Sequence, residues 1–165
     1  SRASPRELAQ VAGIGAARAA RITAAFELGR RAVDPGDPRR RLASAADVYR
    51  CVAPRLAGVT QEVFLVAGLD VRNGLLDVVE IGRGGLVGVD AHPREVFRPL
   101  VRMAAAAGVV IHNHPSGDPT PSAQDRDLTR RLRDAGRVVG IPIVDHVIIG
   151  HRRFRSLAEW LGADF

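Results

Sequence analysis

Ile111-His112-Asn113-His114-Pro115-Ser116-Gly117-Asp118-Pro119-Thr120-Pro121-Ser122-Ala123-Gln124-Asp125 is the stretch on which the reading of this chain turns. The residues leading into it, Gly108-Val109-Val110-Ile111, form a short apolar run of the kind a buried strand carries. Strand side chains alternate between faces, so His112 and His114 project from one side and Asn113 from the other. The prolines that follow exclude both a central strand and a helix. Ser122-x-x-Asp125 then opens a polar helical run, with Ser122 as N-cap and Asp125 at the third helical position, where the helix dipole favours an anion. Two imidazoles on one face and a carboxylate brought back by a tight loop are the donors of a three-ligand metal site. Two nitrogens and one oxygen suit a borderline cation such as Zn²⁺ better than Mg²⁺ or Ca²⁺, which prefer all-oxygen shells. The plainer reading is a pair of surface imidazoles at strand spacing, and the ordered loop with its Ser-x-x-Asp argues against it. No H-E-x-x-H helix exists and no P-C-x-x-C accompanies the pair, so thermolysin-type proteases and zinc deaminases are excluded.

The rest of the composition sets bounds. With 165 residues, 46% of them apolar, the chain can bury a core, and one domain plus a small appendage is expected. No apolar run approaches the roughly 20 residues that span a bilayer, and no signal-peptide pattern opens the chain, so a cytoplasmic protein without a membrane partner is expected. The lone Cys51 can supply neither an internal disulfide nor a thiolate zinc cluster. All 24 basic residues are arginine. The net charge of +6 is uneven: nine arginines against Glu7, Glu27, Asp34 and Asp37 give residues 1–43 a charge of +5, which leaves +1 for residues 44–165. Any nucleic-acid affinity belongs to the N-terminal segment.

Along the chain, Ser4 and Pro5 open a short helix over 5–11, Gly13-Ile14-Gly15 interrupts it, and a longer helix follows through Arg31. Two helices joined by G-I-G resemble a helix-hairpin-helix, the sequence-independent DNA-binding module. Its glycines, here Gly13 and Gly15, let a phosphate approach the backbone, and Arg18 and Arg21 would add charge one turn later. An ordinary αα-hairpin with a glycine turn is the competing reading. Domains are expected as a partial helix-hairpin-helix module over 1–33, a linker over 34–43 and a metal-binding domain over 44–165. Ser44 caps a helix through about Val52. Strands are expected at 62–69, 75–81 and 86–89, the first two joined by a turn in which Asn73-Gly74 supplies positive φ angles. A helix over 93–106 precedes the histidine strand. The helix from Ser122 is expected to end near Ala135 at Gly136. A strand at 143–149, a short one at 153–155 and a closing helix at 156–161 complete an α/β (α+β) pattern, a mixed sheet flanked by helices. His92 reads as a helix-start residue, His151 as a turn residue, and Cys51 as a small helix residue rather than a nucleophile.

His112-x-His114, seven residues, Ser122, two residues, Asp125 is similar to the motif of the JAMM (MPN+) metalloproteases, and the fuller H-N-H-P-S-G-D-P-T-P-S-x-x-D resembles the bacterial RadC proteins in particular. Leu69-Asp70-x-x-Asn73, His92-Pro93-Arg94-Glu95-Val96, Asp145-His146-x-Ile148-Ile149-Gly150 and Ser156-Leu157 match as well, so the likeness covers essentially the whole chain. The resemblance implies a JAB/MPN, cytidine-deaminase-like fold with one Zn²⁺ and a catalytic water on His112, His114 and Asp125. It implies a glutamate general acid/base on the first strand, here Glu62, which on residues alone would read as a solvated charge. It implies also that the Ser122 hydroxyl stabilises an oxyanion during hydrolysis of a peptide or isopeptide bond in a peptide or protein substrate. Asp145 and His146 could orient the site from behind, or His146 could simply pack against a strand. The other readings are a DNA-associated repair or recombination accessory protein whose metal domain is a scaffold, with DNA held through residues 1–33, and a nuclease. The last lacks a second carboxylate cluster for a two-metal site.

Overall fold

A computed structural model describes residues 4–33, 40–84 and 91–165. It divides into two compact units, residues 1–37 and 38–165. In the first, α1 (Pro5–Leu8) is one turn, capped by a reciprocal pair in which Ser4 Oγ accepts from the Glu7 amide and the Glu7 carboxylate accepts from the Ser4 amide. It stops short of the expected Val11 because it buries no residue, and an isolated turn has nothing to extend it. After Gly13, at φ +83°, α2 (Ala16–Val33) begins.

The second unit is a five-stranded mixed sheet in the order β2-β1-β3-β4-β5. Its strands are β1 (Val63–Leu69), β2 (Leu75–Arg83), β3 (Ala107–Asn113), β4 (Ile143–Ile149) and β5 (Phe154–Ser156). β3 runs antiparallel to β1 and parallel to β4; the other two pairings are antiparallel. Side-chain alternation gives the sheet two apolar faces. One carries Val63, Leu65, Ala67, Val109, Ile111, Val147 and Ile149, which pack beneath α3 (Ala45–Leu56) through Val48, Val52 and Leu56. The other carries Phe64, Val66 and Val110, covered by Val96, Phe97 and Leu100 of α4 (Pro93–Arg102) and by Leu128 and Leu132 of α5 (Ala123–Val139). Every residue of β1 is therefore buried. The short α6 (Leu157–Leu161) follows β5.

Several boundaries differ from the sequence expectation. α3 continues past Val52 through Pro54, held by burial of Leu56. α4 stops at Arg102 because Ala106 donates to the Leu69 carbonyl and so enters the sheet. In the β1–β2 turn Asn73 takes the left-handed φ of +60°, while the Asp70 carboxylate accepts from the amides of Arg72 and Gly74, each at 2.7 Å. The expected linker 34–43 lies partly outside the described residues and the expected strand 86–89 wholly outside them; Arg40 and Leu42 already pair with the hairpin turn. α5 runs through Gly136 and ends at Gly140, whose φ of +79° makes it the left-handed cap. Gly136 serves packing: a Cβ there would lie 2.7 Å from the Ile141 carbonyl oxygen.

That distance sets two effects against each other. Alanine gains about 1 kcal/mol of helix propensity over glycine, and forcing a methyl against fixed backbone costs about 1–3 kcal/mol. Gly136→Ala should therefore lower the denaturation midpoint in urea without changing its slope; a raised midpoint would show that the Ile141 backbone yields freely.

Candidate metal centre

Polar side chains inside a core are informative because each must find a partner. Of the six buried polar or charged residues among those described, His112, Asn113, Asp125, Thr129 and His146 gather at the end of β3 and the start of α5; the sixth, Ser156, is elsewhere. β3 is held on both sides, with His112 opposite Phe64 of β1 and Ile148 of β4. His114 lies just past the last strand residue, yet its amide donates to the Ile149 carbonyl at 2.9 Å and so prolongs the ladder. The loop to α5 closes tightly: Gly117 donates to the His114 carbonyl at 2.9 Å, and His151 donates to the Gly117 carbonyl at 2.8 Å. A Cβ on Gly150 would meet that same Gly117 carbonyl, so the close approach needs a glycine.

Asp125 arrives through the α5 cap. Its amide donates to Ser122 Oγ at 3.1 Å, and the Ser122 amide donates to Asp125 Oδ2 at 2.6 Å. The carboxylate then sets Oδ1 3.1 Å from His112 Nε2 and Oδ2 3.5 Å from His114 Nε2, while the two Nε2 atoms are 3.0 Å apart. One ligand atom from each of the three residues lies within 4.8 Å of the others. His114 Nδ1 is 2.7 Å from the Asp118 carbonyl oxygen. A carbonyl has no hydrogen to give, so Nδ1 carries the N–H and a neutral His114 turns its Nε2 lone pair toward Asp125. The donor set therefore fits a metal ion: electron pairs converge where a cation is needed to hold them together.

The charges agree. Burial pushes the Asp125 carboxyl up, but wherever the His112 and His114 rings carry a proton toward it, their hydrogen bonds, the charge of His112 and the bond with Ser122 outweigh burial and hold the group well below the usual carboxylate range. The hydrogen bond with Asp125 raises His114 above its ordinary 6.5, against burial, with smaller upward pushes from the Asp118 carbonyl and from the charges of Asp125 and Glu62. Burial drives His146 well below 6.5, and so keeps it neutral.

Glu62 immediately precedes β1 and is half-buried. Continuing the register Phe64↔His112 by two residues sets it across from His114, near enough for its charge to act on that ring. Asn113 fixes this placement, a role its outward-pointing position in sequence did not reveal. Its Oδ1 accepts from the Val63 amide at 2.8 Å, and its Nδ2 donates to the Gln61 carbonyl at 3.0 Å, a side chain continuing the ladder where backbone pairing stops. Ser122 caps α5 and is exposed, its oxygen accepting from the Asp125 amide. His146 points into the site, with Nε2 2.8 Å from His112 Nδ1, and Thr129, unremarked in the sequence, stands 2.6 Å from His146 Nδ1. Asp145 faces the other way. It accepts from the Ser156 hydroxyl, the Ala158 amide and the His146 amide, and so ties β4 to α6 without reaching the His112, His114 and Asp125 cluster. His92 caps α4 through Nδ1, Cys51 is buried in α3, and His151 is exposed in a turn. In the N-terminal unit Gly13, Gly15, Arg18 and Arg21 are exposed, but Arg18 donates to the Gly13 carbonyl at 2.7 Å and is engaged in closing the turn.

Metal and proton compete for His114. In the metal-free chain its raised pKa means that the protonated ring's pairing with Asp125 is fully present below 6.5 and lost as pH rises through the higher folded value. Above that value the bare lone pairs face one another, and a metal gains most. The rise in melting temperature on adding zinc should therefore grow with pH through the neutral range, and His114→Ala should abolish it; an increment independent of pH would remove His114 from the ligand set.

A family model described as a RadC-like JAB domain matches residues 42–162. A UPF0758 protein of Syntrophotalea carbinolica is 44% identical over 158 residues, 95% of this chain and 70% of that protein. One from Desulfitobacterium hafniense is 43% identical over 161 residues, 96% of the chain and 70% of the relative. One from Syntrophomonas wolfei is 45% identical over 159 residues, 94% and 68% respectively. With a match this long and sheet, helices and His-His-Asp cluster placed as described, the chain belongs to the RadC family and carries its JAB domain.

Proposed function

We propose that the chain is a zinc-dependent metallohydrolase that cleaves a peptide or isopeptide bond. The observation that carries this reading is the pairing of a converging His112, His114 and Asp125 cluster with a carboxylate, Glu62, set opposite His114 by strand register. A zinc ion held by the three ligands would supply Lewis-acid polarisation and a water acidified to a pKa of about 7. Glu62 accepts the proton of the attacking water and returns it to the leaving amine. The Ser122 hydroxyl, whose oxygen already accepts from the Asp125 amide, donates its hydrogen to the developing oxyanion. Flanking substrate residues would lie in a groove of about 650 Å³ beside His114, whose walls include Tyr49, Pro54, Val59, Pro115 and Ile149.

Glu62→Gln should retain one zinc per chain and lose turnover of a peptide library by roughly 10²–10⁴-fold. Zinc loss in the variant, or undiminished turnover, would remove Glu62 from the acid/base role.

A second reading is a DNA-associated accessory role, favoured by the +5 charge of residues 1–43 and by the open surroundings of Gly13 and Gly15, where an added Cβ would meet nothing within 4 Å. If residues 1–33 hold DNA, binding should weaken steeply with salt, and Arg21→Ala should lower the salt slope by about 1. An unchanged slope would take Arg21 out of any phosphate contact.

A further inference from the structure

The metal ligands His112 and Asp125 are joined behind the centre by two buried side chains, Thr129 of α5 and His146 of β4. Thr129 Oγ1 lies 2.5 Å from the Asp125 carbonyl oxygen and 2.6 Å from His146 Nδ1. His146 Nε2 in turn lies 2.8 Å from His112 Nδ1. We propose that this chain is a tautomer relay, in which Thr129 and His146 act as positioning residues that force the N–H of His112 onto Nδ1 and turn its Nε2 lone pair to the metal.

The direction follows from where hydrogens exist. The Asp125 carbonyl has none, so the short contact to Thr129 must be made by the threonine hydroxyl donating. Its single hydrogen spent, Oγ1 can only accept from His146, so His146 carries its N–H on Nδ1. A buried neutral imidazole has one such hydrogen; His146 Nε2 is therefore bare and accepts from His112 Nδ1–H. In the neutral ring His112 Nε2 is then left without a hydrogen, 3.1 Å from Asp125 Oδ1 and 3.0 Å from His114 Nε2. Nothing competes with the relay: His146 is fully buried, Thr129 2% exposed, and Phe64 flanks both rings, stacked on His112 at 5.9 Å and edge-on to His146 at 5.8 Å. The start and the end of the relay meet at one residue, since Asp125 anchors Thr129 with its backbone and the metal with its side chain.

The reversed relay is the state Thr129 excludes. Without the hydroxyl, His146 can carry its hydrogen on Nε2 and donate to His112 Nδ1, which moves the His112 hydrogen to Nε2, where it blocks the metal. Thr129→Val preserves shape and removes the hydroxyl; Thr129→Ser preserves the hydroxyl. The inference rests on the metal reading for its affinity readout only.

The test combines zinc titration against a competing chelator with nitrogen-15 NMR of the imidazoles in the metal-free chain, above the pH at which His114 loses its proton. Expected are N–H on Nδ1 of both His112 and His146 in the parent chain, a 10–100-fold weaker zinc affinity for Thr129→Val, appearance of the Nε2–H form of His112 in that variant, and near-parental behaviour of Thr129→Ser. His146 carrying its hydrogen on Nε2 in the parent chain overturns the relay even if Thr129→Val does not fold, and so does a Thr129→Val that keeps both tautomers and zinc affinity. A parent chain that takes up no zinc overturns the metal reading instead, and the parent tautomers then judge the relay by themselves.

Discussion

The double pairing of β3 is the constraint from which the site follows. A strand held by one neighbour can slip by a residue and exchange its faces. β3 is fixed antiparallel to β1 and parallel to β4 at once, and both of its apolar residue sets, Val109 with Ile111 and Val110, are buried in opposite layers. A slip would expose both cores to the wrong partners, so the imidazoles of His112 and His114 stay on the α5 side. The same register sets Phe64 against His112 and brings Glu62 to His114, and the β4 pairing brings His146 beneath the centre.

The energetics of this arrangement are asymmetric. Burying lone pairs that face one another costs stability in the metal-free chain, because unpaired buried polar groups are expensive. That cost is confined by supplying partners to every other polar atom nearby, and no buried side-chain nitrogen or oxygen among the described residues lacks a polar neighbour within hydrogen-bonding distance. Two main-chain carbonyls, of Asp118 and Asp125, do much of the confining, since a carbonyl can only accept and so dictates where hydrogens sit. What remains unsatisfied is one small space between three donor atoms, which is how a protein makes a site that wants a cation and little else.

Much of this was legible in the chain. Alternation placed His112 and His114 on one face, and Ser122-x-x-Asp125 announced the capping box that carries Asp125 to them. Hairpin, sheet and the α5 helix were found from periodicity and turn residues. Resemblance supplied the family, which the long match over residues 42–162 shows. Partners that act through three-dimensional reach were not legible. Asn113 reads as a residue pointing away, and only the pairing of β1 with β3 shows that its amide replaces a missing ladder bond. Thr129 sits one helical turn after Asp125, a spacing too common to signal anything until β4 brings His146 against it. Asp145 and His146, adjacent in sequence and read as a pair, are split by strand alternation into a clamp on α6 and a contact to the centre. Gly136 read as a stop because a glycine at a helix end and a glycine at a helix contact look the same in one dimension.

The centre is also lopsided, and this bears on how anything could approach it. The His112 side chain is 1% exposed and that of His114 18%, so one ligand is sealed and the other stands at the rim. Behind His112 lie Phe64, His146 and Thr129, a buried wall part apolar and part hydrogen-bonded. Around His114 lie Glu62, the exposed Ser122, the loop through Gly117 and the groove that His114 and Gly117 help to line. The accessible rim of the cluster is therefore on the His114 side, where Glu62 and the exposed Ser122 also stand. Rigidity belongs to the sealed half and access to the other, a division that lets the geometry of the cluster be held by the core while its rim remains reachable.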